Sequence, residues 1–236
     1  MVKLEQEVKM FRGFVFDLDG TLIDSLKTIG SLFNSHLCKM GYDICDYDLY
    51  NEFVGDGAEV MATRAFNYIN DRDKLNLTEE ELGKKVQQIL PDYLYEYNNR
   101  NDDFTKPYEG IVKTLKKLKE EGRILAVCTN KPMKAAEIVL NNIFGKDFFD
   151  FILGDKTGIK LKPHQDMIDE FKKVSGLKPE EIVYFGDTST DMITAVNGNL
   201  YPVGVTWGFR SREELLENGA KSIIDKPEEI LQFLNF

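Results

Sequence analysis

Cysteine is scarce in this chain: its 236 residues include only Cys38, Cys45 and Cys128. An odd number of cysteines, without the paired spacing of a metal site, argues against a disulfide framework and against a zinc module. We expect reduced thiols that pack as small apolar groups in a reducing compartment. The cysteine usage therefore predicts a cytoplasmic protein.

Long apolar runs and positive charge are also in short supply. The N-terminal segment MVKLEQEVKMFRG has no apolar stretch of signal-peptide length, and no run approaches the length that crosses a membrane. Thirty Lys and Arg stand against 40 Asp and Glu, which gives a formal net charge of -10. Nucleic acids and anionic membranes attract clustered Lys and Arg, so this balance argues against both as partners. An anionic substrate would need a locally positive site.

What the sequence does contain is a regular alternation of short apolar runs and helical patterns. Strands are predicted at 14–16, 124–128, 149–153, 182–185, 202–205 and 223–224. Helical patterns separate the strands that follow residue 107. Repeated βα units favour the α/β class, with a doubly wound parallel sheet, a Rossmann-like core, and helices on both faces.

Residues 25–100 form a different kind of segment, because they lack convincing strands. Helical patterns cover 26–37 and 58–69, and a third helix begins at Thr78, where Thr78 and Glu81 fit a capping box. The third helix is expected to break near Pro91 and continue to about Tyr97. The sequence thus predicts an α/β catalytic core of residues 1–23 and 103–236. Residues 24–102 are predicted to form an inserted α-helical cap, in a position to act as a lid.

Two acidic loops follow predicted strands. Asp17 and Asp19 lie in Asp-Leu-Asp-Gly-Thr after the first strand, and Asp187 and Asp191 follow the strand at 182–185. Each loop alone is explained equally well as an ordinary turn or helix cap, without any functional role. The carboxyl ends of parallel strands meet at one edge, however, and that edge is where such sheets bind ligands. Carboxylates brought together there would repel one another unless a cation shared them, and oxygen ligands suit Mg²⁺.

Thr129, Asn130 and Lys162 offer the groups that a phosphate would need. Thr129 and Asn130 follow the strand at 124–128, and a hydroxyl with exposed N–H groups before a helix forms a phosphate cradle. Lys162 lies in a loop, where it would supply a cation against the phosphate charge. Taken alone, the first segment fits a simple helix cap just as well, and a single lysine in a loop is usually solvated. His36 and His164 have no partner at metal-type spacing, and only His164 is a candidate for substrate contact.

Taken in order, these four segments resemble the motifs of the haloacid dehalogenase-like hydrolase superfamily over nearly the whole chain. The motif residues here are Asp17 to Thr21, Thr129, Lys162, and Gly186, Asp187 and Asp191 of Gly-Asp-x-x-x-Asp. The helical insertion between the first and second motifs is similar to the superfamily's small α-helical cap. Dehalogenases of this superfamily lack the second Asp of the first motif. Asp19 is present here, so the resemblance implies phosphoryl chemistry.

The resemblance also implies a role for each motif residue. Asp17 would be the nucleophile that forms an aspartyl phosphate, and Asp19 the general acid and base. Mg²⁺ would be held by the Asp17 carboxylate, the Asp19 main-chain carbonyl and the Asp187 carboxylate. Asp191 would hold metal-bound water or orient the motif lysine. The phosphoryl oxygens would be bound by Thr129, Asn130 and Lys162.

A further resemblance, to the phosphoglycolate phosphatase-type members, comes from the cap. Here Val54-Gly-Asp-Gly-Ala-Glu-Val60 is followed by Arg64, and a Gly-x-Gly-Ala turn opens a helix in those proteins. Gly57 and Arg64 are therefore candidates for substrate specificity. Arg64 would pair with a substrate carboxylate, the alternative being a solvent-facing helix residue. Trp207-Gly208-Phe209 is similar to the same group.

The sequence therefore predicts a Mg²⁺-dependent phosphatase of a small phosphorylated metabolite, with 2-phosphoglycolate as the first candidate. A phosphosugar mutase of the beta-phosphoglucomutase kind, or a pyrophosphatase, would fit the same scaffold. A non-catalytic binding protein that kept the fold is the alternative from another class, and the four intact motifs argue against it. The sequence leaves the oligomeric state open between monomer and dimer.

Overall fold

The computed structural model describes residues 10–99 and 104–235. Its strands are β1 (Gly13–Phe16), β2 (Ile23–Asp24), β3 (Lys106–Pro107), β4 (Ile124–Pro132), β5 (Phe151–Asp155), β6 (Ile182–Gly186), β7 (Tyr201–Val205) and β8 (Ser222–Ile224). Its α-helices are α1 (Leu26–Lys39), α2 (Tyr50–Phe53), α3 (Ala58–Asp73), α4 (Glu79–Tyr97), α5 (Ile111–Glu120), α6 (Met133–Phe144), α7 (Asp166–Ser175), α8 (Ser189–Asn197) and α9 (Arg212–Glu217). A 3₁₀ helix at Pro227–Asn235 ends the described chain.

Six of these strands form one parallel sheet in the order β5-β4-β1-β6-β7-β8. Each is a nearly continuous apolar run because both faces of the sheet are covered. Alternate residues of β1 point to opposite faces: Phe14 and Phe16 join one core with α5 and α6, while Val15 joins a second core with α7 and α8. The predicted α/β fold, doubly wound around a parallel sheet, is confirmed.

The helices α1 to α4 form a separate layer with its own core, built around aromatic side chains such as Phe33, Tyr50 and Tyr93. The chain enters and leaves this layer through β2 and β3, which pair antiparallel. The helical insertion after the first strand is therefore present. Its limits at 24–102 stay a prediction, because residues 102 and 103 lie outside the described ranges. None of the described helices is long and apolar enough to span a membrane.

Two details of the predicted elements were wrong. The helix α4 continues through Pro91 instead of breaking there. Its buried neighbours Leu90 and Tyr93 keep the helix packed on the cap core, which offsets the hydrogen bond that proline cannot make. The strand β4 does not end at Cys128 but runs on to Pro132, with a shift of register against β5 on the way.

Candidate active site

Three carboxylates meet at the carboxyl edge of the sheet. Asp17 directly follows β1 and Asp187 directly follows the neighbouring strand β6, while Asp191 lies in the first turn of α8. Each of the three offers one oxygen, and these oxygens all lie within 4.8 Å of one another. All three side chains are buried. The strand order therefore brings together the acidic residues that the sequence predicted to meet.

Lys162 stands between two of these carboxylates. Its Nζ lies 2.7 Å from Oδ1 of Asp17 and 2.7 Å from Oδ1 of Asp191. Asn130 fixes the lysine's loop, since its Oδ1 accepts from the Lys162 N–H at 2.8 Å and its Nδ2 donates to the Lys162 carbonyl at 3.1 Å. The sequence assigned Asn130 to the phosphate cradle, and that role stays a prediction; in the structure its side chain holds the loop of Lys162 in place.

Burial sets the electrostatics of this cluster. It raises the pKa of Asp17 well above its ordinary value, and the charge of Asp191 adds to the effect while Lys162 opposes it. Burial alone would lower the pKa of Lys162, but the adjacent Asp17 and Asp191 outweigh it and hold that pKa above the ordinary value. The Lys162 ammonium therefore stays charged beside Asp17, the nucleophile that the resemblance implied.

Asp187 is held by donors from two other segments. The hydroxyl of Thr21 donates to Oδ1 at 2.7 Å and the Phe209 N–H donates to Oδ2 at 2.9 Å. Two glycines make room for the carboxylate: a Cβ on Gly20 would lie 2.2 Å from Oδ2, and one on Gly208 would lie 2.3 Å from the Asp187 Cβ. Gly20 also has φ of 90°, a conformation that suits glycine.

The pKa of Asp187 is raised to about 7, first by burial and then by the charge of Asp191. The Thr21 and Phe209 donors work in the opposite direction, because they stabilise the ionised form. Ionising this group in its buried place is therefore unfavourable unless a cation lies beside it.

Asp191 is fully engaged by the protein. Besides Lys162, its Oδ1 accepts from the Tyr184 hydroxyl at 3.1 Å, and its Oδ2 accepts from the hydroxyl and the N–H of Thr188 at 2.7 and 3.0 Å. Thr188 and Asp191 together cap α8. These contacts suit a residue that positions the lysine.

Asp19 has a different set of partners. The hydroxyl of Ser25 donates to Oδ1 of Asp19 at a distance of 2.5 Å. Nζ of Lys131 lies 2.9 and 3.1 Å from the two carboxylate oxygens of Asp19. Lys131 also donates to the hydroxyl of Tyr97 and lies 4.5 Å from the centre of that ring. Sequence reasoning missed Lys131 and Tyr97. Lys131 follows Asn130 directly, and that position was the one signal available.

Thr129 is buried in the irregular part of β4, between the paired residues Cys128 and Pro132. Its Oγ1 accepts from the Lys131 N–H at 3.1 Å. The threonine lines the same pocket as Asp17, so the structure brings the second motif next to the first.

A small cavity of about 60 Å³ lies between this edge of the sheet and the helical layer. Its floor consists of Asp17, Asp19, Thr129, Asn130, Lys131 and Pro132. Its roof consists of the cap residues Ile29, Val54, Gly55, Gly57, Ala58, Met61, Tyr93 and Tyr97. The cavity is thus polar where the core lines it and mainly apolar where the cap does.

The two specificity candidates differ in their position. Gly57 lines the cavity, whereas Arg64 does not belong to its lining. Arg64 instead donates to the Asp56 carboxylate at 2.5 Å and to the Phe53 carbonyl at 3.0 Å. His164, the other candidate for substrate contact, is half exposed and pairs with a neighbouring aspartate outside the lining.

Besides the contact between Lys131 and Tyr97, further hydrogen bonds join the helical layer to the sheet edge. Arg210, after β7, donates to the main-chain carbonyls of Asn51, Glu52 and Val54. Thr190, at the start of α8, donates to the carboxylate of Asp56. The chain therefore stands with its cap closed over the acidic cluster.

Comparisons with known proteins agree with this geometry. Residues 14–205 match the family model described as haloacid dehalogenase-like hydrolase. A phosphoglycolate phosphatase of Haemophilus influenzae is 30% identical over 225 residues, which cover 95% of this chain and 98% of the relative. A crystal structure from Lactobacillus delbrueckii subsp. bulgaricus superposes with a TM-score of 0.88 at 31% identity, covering 96% of this chain and 99% of that one. The crystal structure of a predicted phosphoglycolate phosphatase from Haemophilus somnus gives a TM-score of 0.82 at 29% identity, with coverage of 94% and 97%.

Proposed function

The chain belongs to the haloacid dehalogenase-like hydrolase family, and we propose that it hydrolyses a small phosphate monoester, 2-phosphoglycolate first among them, with Mg²⁺. Its relatives place it in the class of phosphoric monoester hydrolases. One observation carries the proposal: a buried lysine pairs with Asp17 at the centre of three converging carboxylates. Such a constellation at the carboxyl ends of parallel strands is suited to phosphoryl transfer.

The donor set fits a divalent cation. Three carboxylates and one ammonium share a buried space, where burial first and the charge of Asp191 second raise the pKa values of Asp17 and Asp187. In our proposal the carboxylates of Asp17 and Asp187 and the main-chain carbonyl of Asp19 hold Mg²⁺. The ion would offset the charge of the phosphoryl group and of the nucleophile. In this proposal Asp191 positions Lys162 and does not bind the metal, because protein donors already occupy both of its carboxylate oxygens.

The first half of the proposed reaction transfers the phosphoryl group to the protein. A carboxylate oxygen of Asp17 attacks phosphorus, the bond from phosphorus to the ester oxygen breaks, and Asp19 gives its proton to the departing oxygen. Thr129 and Lys162 hold the phosphoryl oxygens, together with backbone N–H groups beside Asp17 and Asn130. Burial keeps bulk water out while the aspartyl phosphate forms.

The second half regenerates the enzyme. Asp19, now ionised, takes a proton from a water molecule that attacks the same phosphorus atom. The bond between phosphorus and the Asp17 oxygen breaks, and inorganic phosphate leaves. One residue thus serves as acid in the first step and as base in the second.

The closed position of the cap supports a small substrate, because cap residues such as Met61 and Tyr93 line the same cavity as Asp17 and Asp19. Relatives named phosphoglycolate phosphatase, at 30% identity and nearly full coverage, support the two-carbon ester. We retain Gly57 as a specificity candidate because it lines the cavity. Arg64 remains one only if it leaves Asp56, its partner in this structure.

We place the enzyme in the cytoplasm as part of the same proposal. All three cysteines carry free thiols, including the exposed Cys38, and that state is typical of a reducing compartment.

The decisive test is an ester panel with and without Mg²⁺. We expect phosphate release from 2-phosphoglycolate that depends on the metal, and a loss of at least about a thousandfold in Asp17→Asn, because the amide cannot act as nucleophile. Asp71→Asn, at an exposed position of α3, is the matched control and should keep wild-type rates. Release that persists in Asp17→Asn would refute the assigned nucleophile, and no release from any ester would refute the phosphatase.

A further inference from the structure

Lys131 is a second buried lysine of the site, its residue lines the cavity, and no step of the proposed hydrolysis uses it. Its Nζ lies within hydrogen-bond distance of both carboxylate oxygens of Asp19, at 2.9 and 3.1 Å. It also donates to the hydroxyl of Tyr97, which α4 of the cap provides. The other lysine of the site, Lys162, pairs with Asp17 on the phosphoryl side. The two ammonium groups therefore serve different carboxylates.

Among the described residues that line the cavity, Lys131 is the one cation. Its surroundings on the cap side are apolar or aromatic and include Ile29, Met61 and Tyr93. A buried ammonium in such surroundings needs an anionic partner. Asp19 fills that role in this structure.

The proposed reaction changes that pairing. To act as the acid, Asp19 has to leave the ammonium of Lys131, take up a proton from water and turn toward the ester oxygen. The part of the substrate next to the ester oxygen is the leaving group. An anionic group there would replace Asp19 as the partner of Lys131, whereas a neutral group would leave the buried charge uncompensated.

We propose that Lys131 binds a carboxylate on the leaving group and thereby selects phosphate esters of short hydroxy acids over phosphates of neutral alcohols. The inference rests on the proposed phosphatase function and adds the residue that recognises the leaving group. Tyr97 holds the ammonium on the cap side, so recognition takes place only with the cap over the site. Cap and core residues line the same cavity around Lys131, which favours a short hydroxy acid.

The test compares two esters of equal length, 2-phosphoglycolate and 2-hydroxyethyl phosphate, which differ in the carboxylate. We expect the wild type to prefer the anionic ester in kcat/KM, and Lys131→Met to lower this preference about tenfold or more, mainly through KM. Lys134→Met, at an exposed lysine of α6, is the matched control and should keep the wild-type preference. Equal losses on both esters in Lys131→Met, or an unchanged preference, would overturn the proposal.

Two further measurements keep the test decisive. Glycolate should inhibit the wild type more strongly than ethylene glycol does. Lys131→Gln should weaken the inhibition by glycolate about tenfold, and a cooperative melting transition should show that this variant is folded. Equal inhibition by both alcohols in the wild type would overturn the proposal without any variant. A wild type that hydrolyses neither ester refutes the phosphatase itself, whereas one that hydrolyses both without preference refutes only the role of Lys131.

Discussion

The backbone N–H of Phe209 donates a hydrogen bond of 2.9 Å to Oδ2 of Asp187. The ring of the same residue packs against the apolar core of the helical cap. The next residue, Arg210, donates to the carbonyls of Asn51 and Val54 in the cap. One short segment after β7 therefore contacts both the acidic cluster and the cap.

Gly208 makes this contact possible, and its replacement should weaken the metal site. A Cβ at this position would lie 2.3 Å from the Cβ of Asp187 and 2.4 Å from the carbonyl oxygen of Gly20, so Gly208→Ala must displace the carboxylate. We expect the Mg²⁺ concentration for half-maximal activity to rise by about ten- to a hundredfold. Measuring the activity over a series of Mg²⁺ concentrations gives this half-maximal concentration for the variant and the wild type.

The control for that variant is Gly83→Ala in the exposed part of α4. A Cβ there meets nothing within 4 Å, and alanine is the better helix former by about 1 kcal/mol. We expect an unchanged Mg²⁺ response and an equal or higher melting temperature. An unchanged Mg²⁺ response in Gly208→Ala as well would show that the segment does not set the position of Asp187.

Arg210 should matter for catalysis although it lies outside the cavity lining. Arg210→Ala removes the donors to three main-chain carbonyls of the cap, which favours the open position. We expect kcat/KM for the small ester to fall by about tenfold, because each lost hydrogen bond from a charged donor removes roughly 1.5–3 kcal/mol and part of that loss is recovered by hydration.

Arg212→Ala is the matched control for Arg210→Ala. Arg212 is exposed and pairs with Asp225, away from the cap. It should keep the wild-type kcat/KM. Equal kinetics in the two variants would mean that the contacts of Arg210 do not hold the cap over the site.

The sequence predicted the parts of this site that lie close to the ends of strands. Asp17 and Asp187 could be placed because each directly follows an apolar run, and parallel strands end at the same edge. Lys162 lies in a loop, and secondary-structure propensity does not predict where a loop side chain points. Only the ordered set of motifs assigned this lysine to the site. The structure adds the reason for its position, which is the pair of hydrogen bonds to Asn130.

The contacts between cap and core were beyond the sequence. In the sequence Lys131 is one more lysine near a helix start, and its contact with Tyr97 joins it to a residue 34 positions away in another layer. Arg64 is a second case: the sequence offered a substrate carboxylate as its partner, with a solvent-facing position as the alternative, and in the structure Asp56 pairs with it. Such pairings depend on how separate layers pack, and periodicity within one element carries no information about that.

Replacing the motif lysine should lower both stability and activity. Lys162→Met leaves Asp17 and Asp191 without their ammonium partner in a fully buried space. Loss of one partner of a buried pair costs about 3–5 kcal/mol, and we expect the metal-free variant to melt at a clearly lower temperature. We also expect kcat to fall by about a hundredfold or more, since a fixed charge at the phosphoryl group is lost.

Lys160→Met, at an exposed position of the same loop, separates this effect from a general disturbance of the loop. The control should match the wild type in melting temperature and in kcat. A Lys162→Met protein with the stability of the control would show that the buried carboxylates do not need the lysine.

The stability of the metal-free chain should depend on pH, in a direction that the pKa of Asp187 determines. Its pKa is about 7 in the folded chain against an ordinary value of 3.8, so the folded state holds a proton that the unfolded state has released. The stability from this group is fully present below about pH 4 and is lost as the pH rises through 7. In EDTA, the melting temperature should therefore fall between pH 5 and pH 8, and Asp187→Asn should reduce that fall.

Mg²⁺ should reverse this trend, because it binds the ionised carboxylates of the folded chain and so stabilises it by mass action. The gain in melting temperature on adding saturating Mg²⁺ should be larger at pH 8 than at pH 5, where protons compete for Asp17 and Asp187. Differential scanning fluorimetry at both pH values, with Mg²⁺ or with EDTA, measures all four melting temperatures. A gain that is equal at the two pH values, or larger at pH 5, would show that these two carboxylates do not hold the metal.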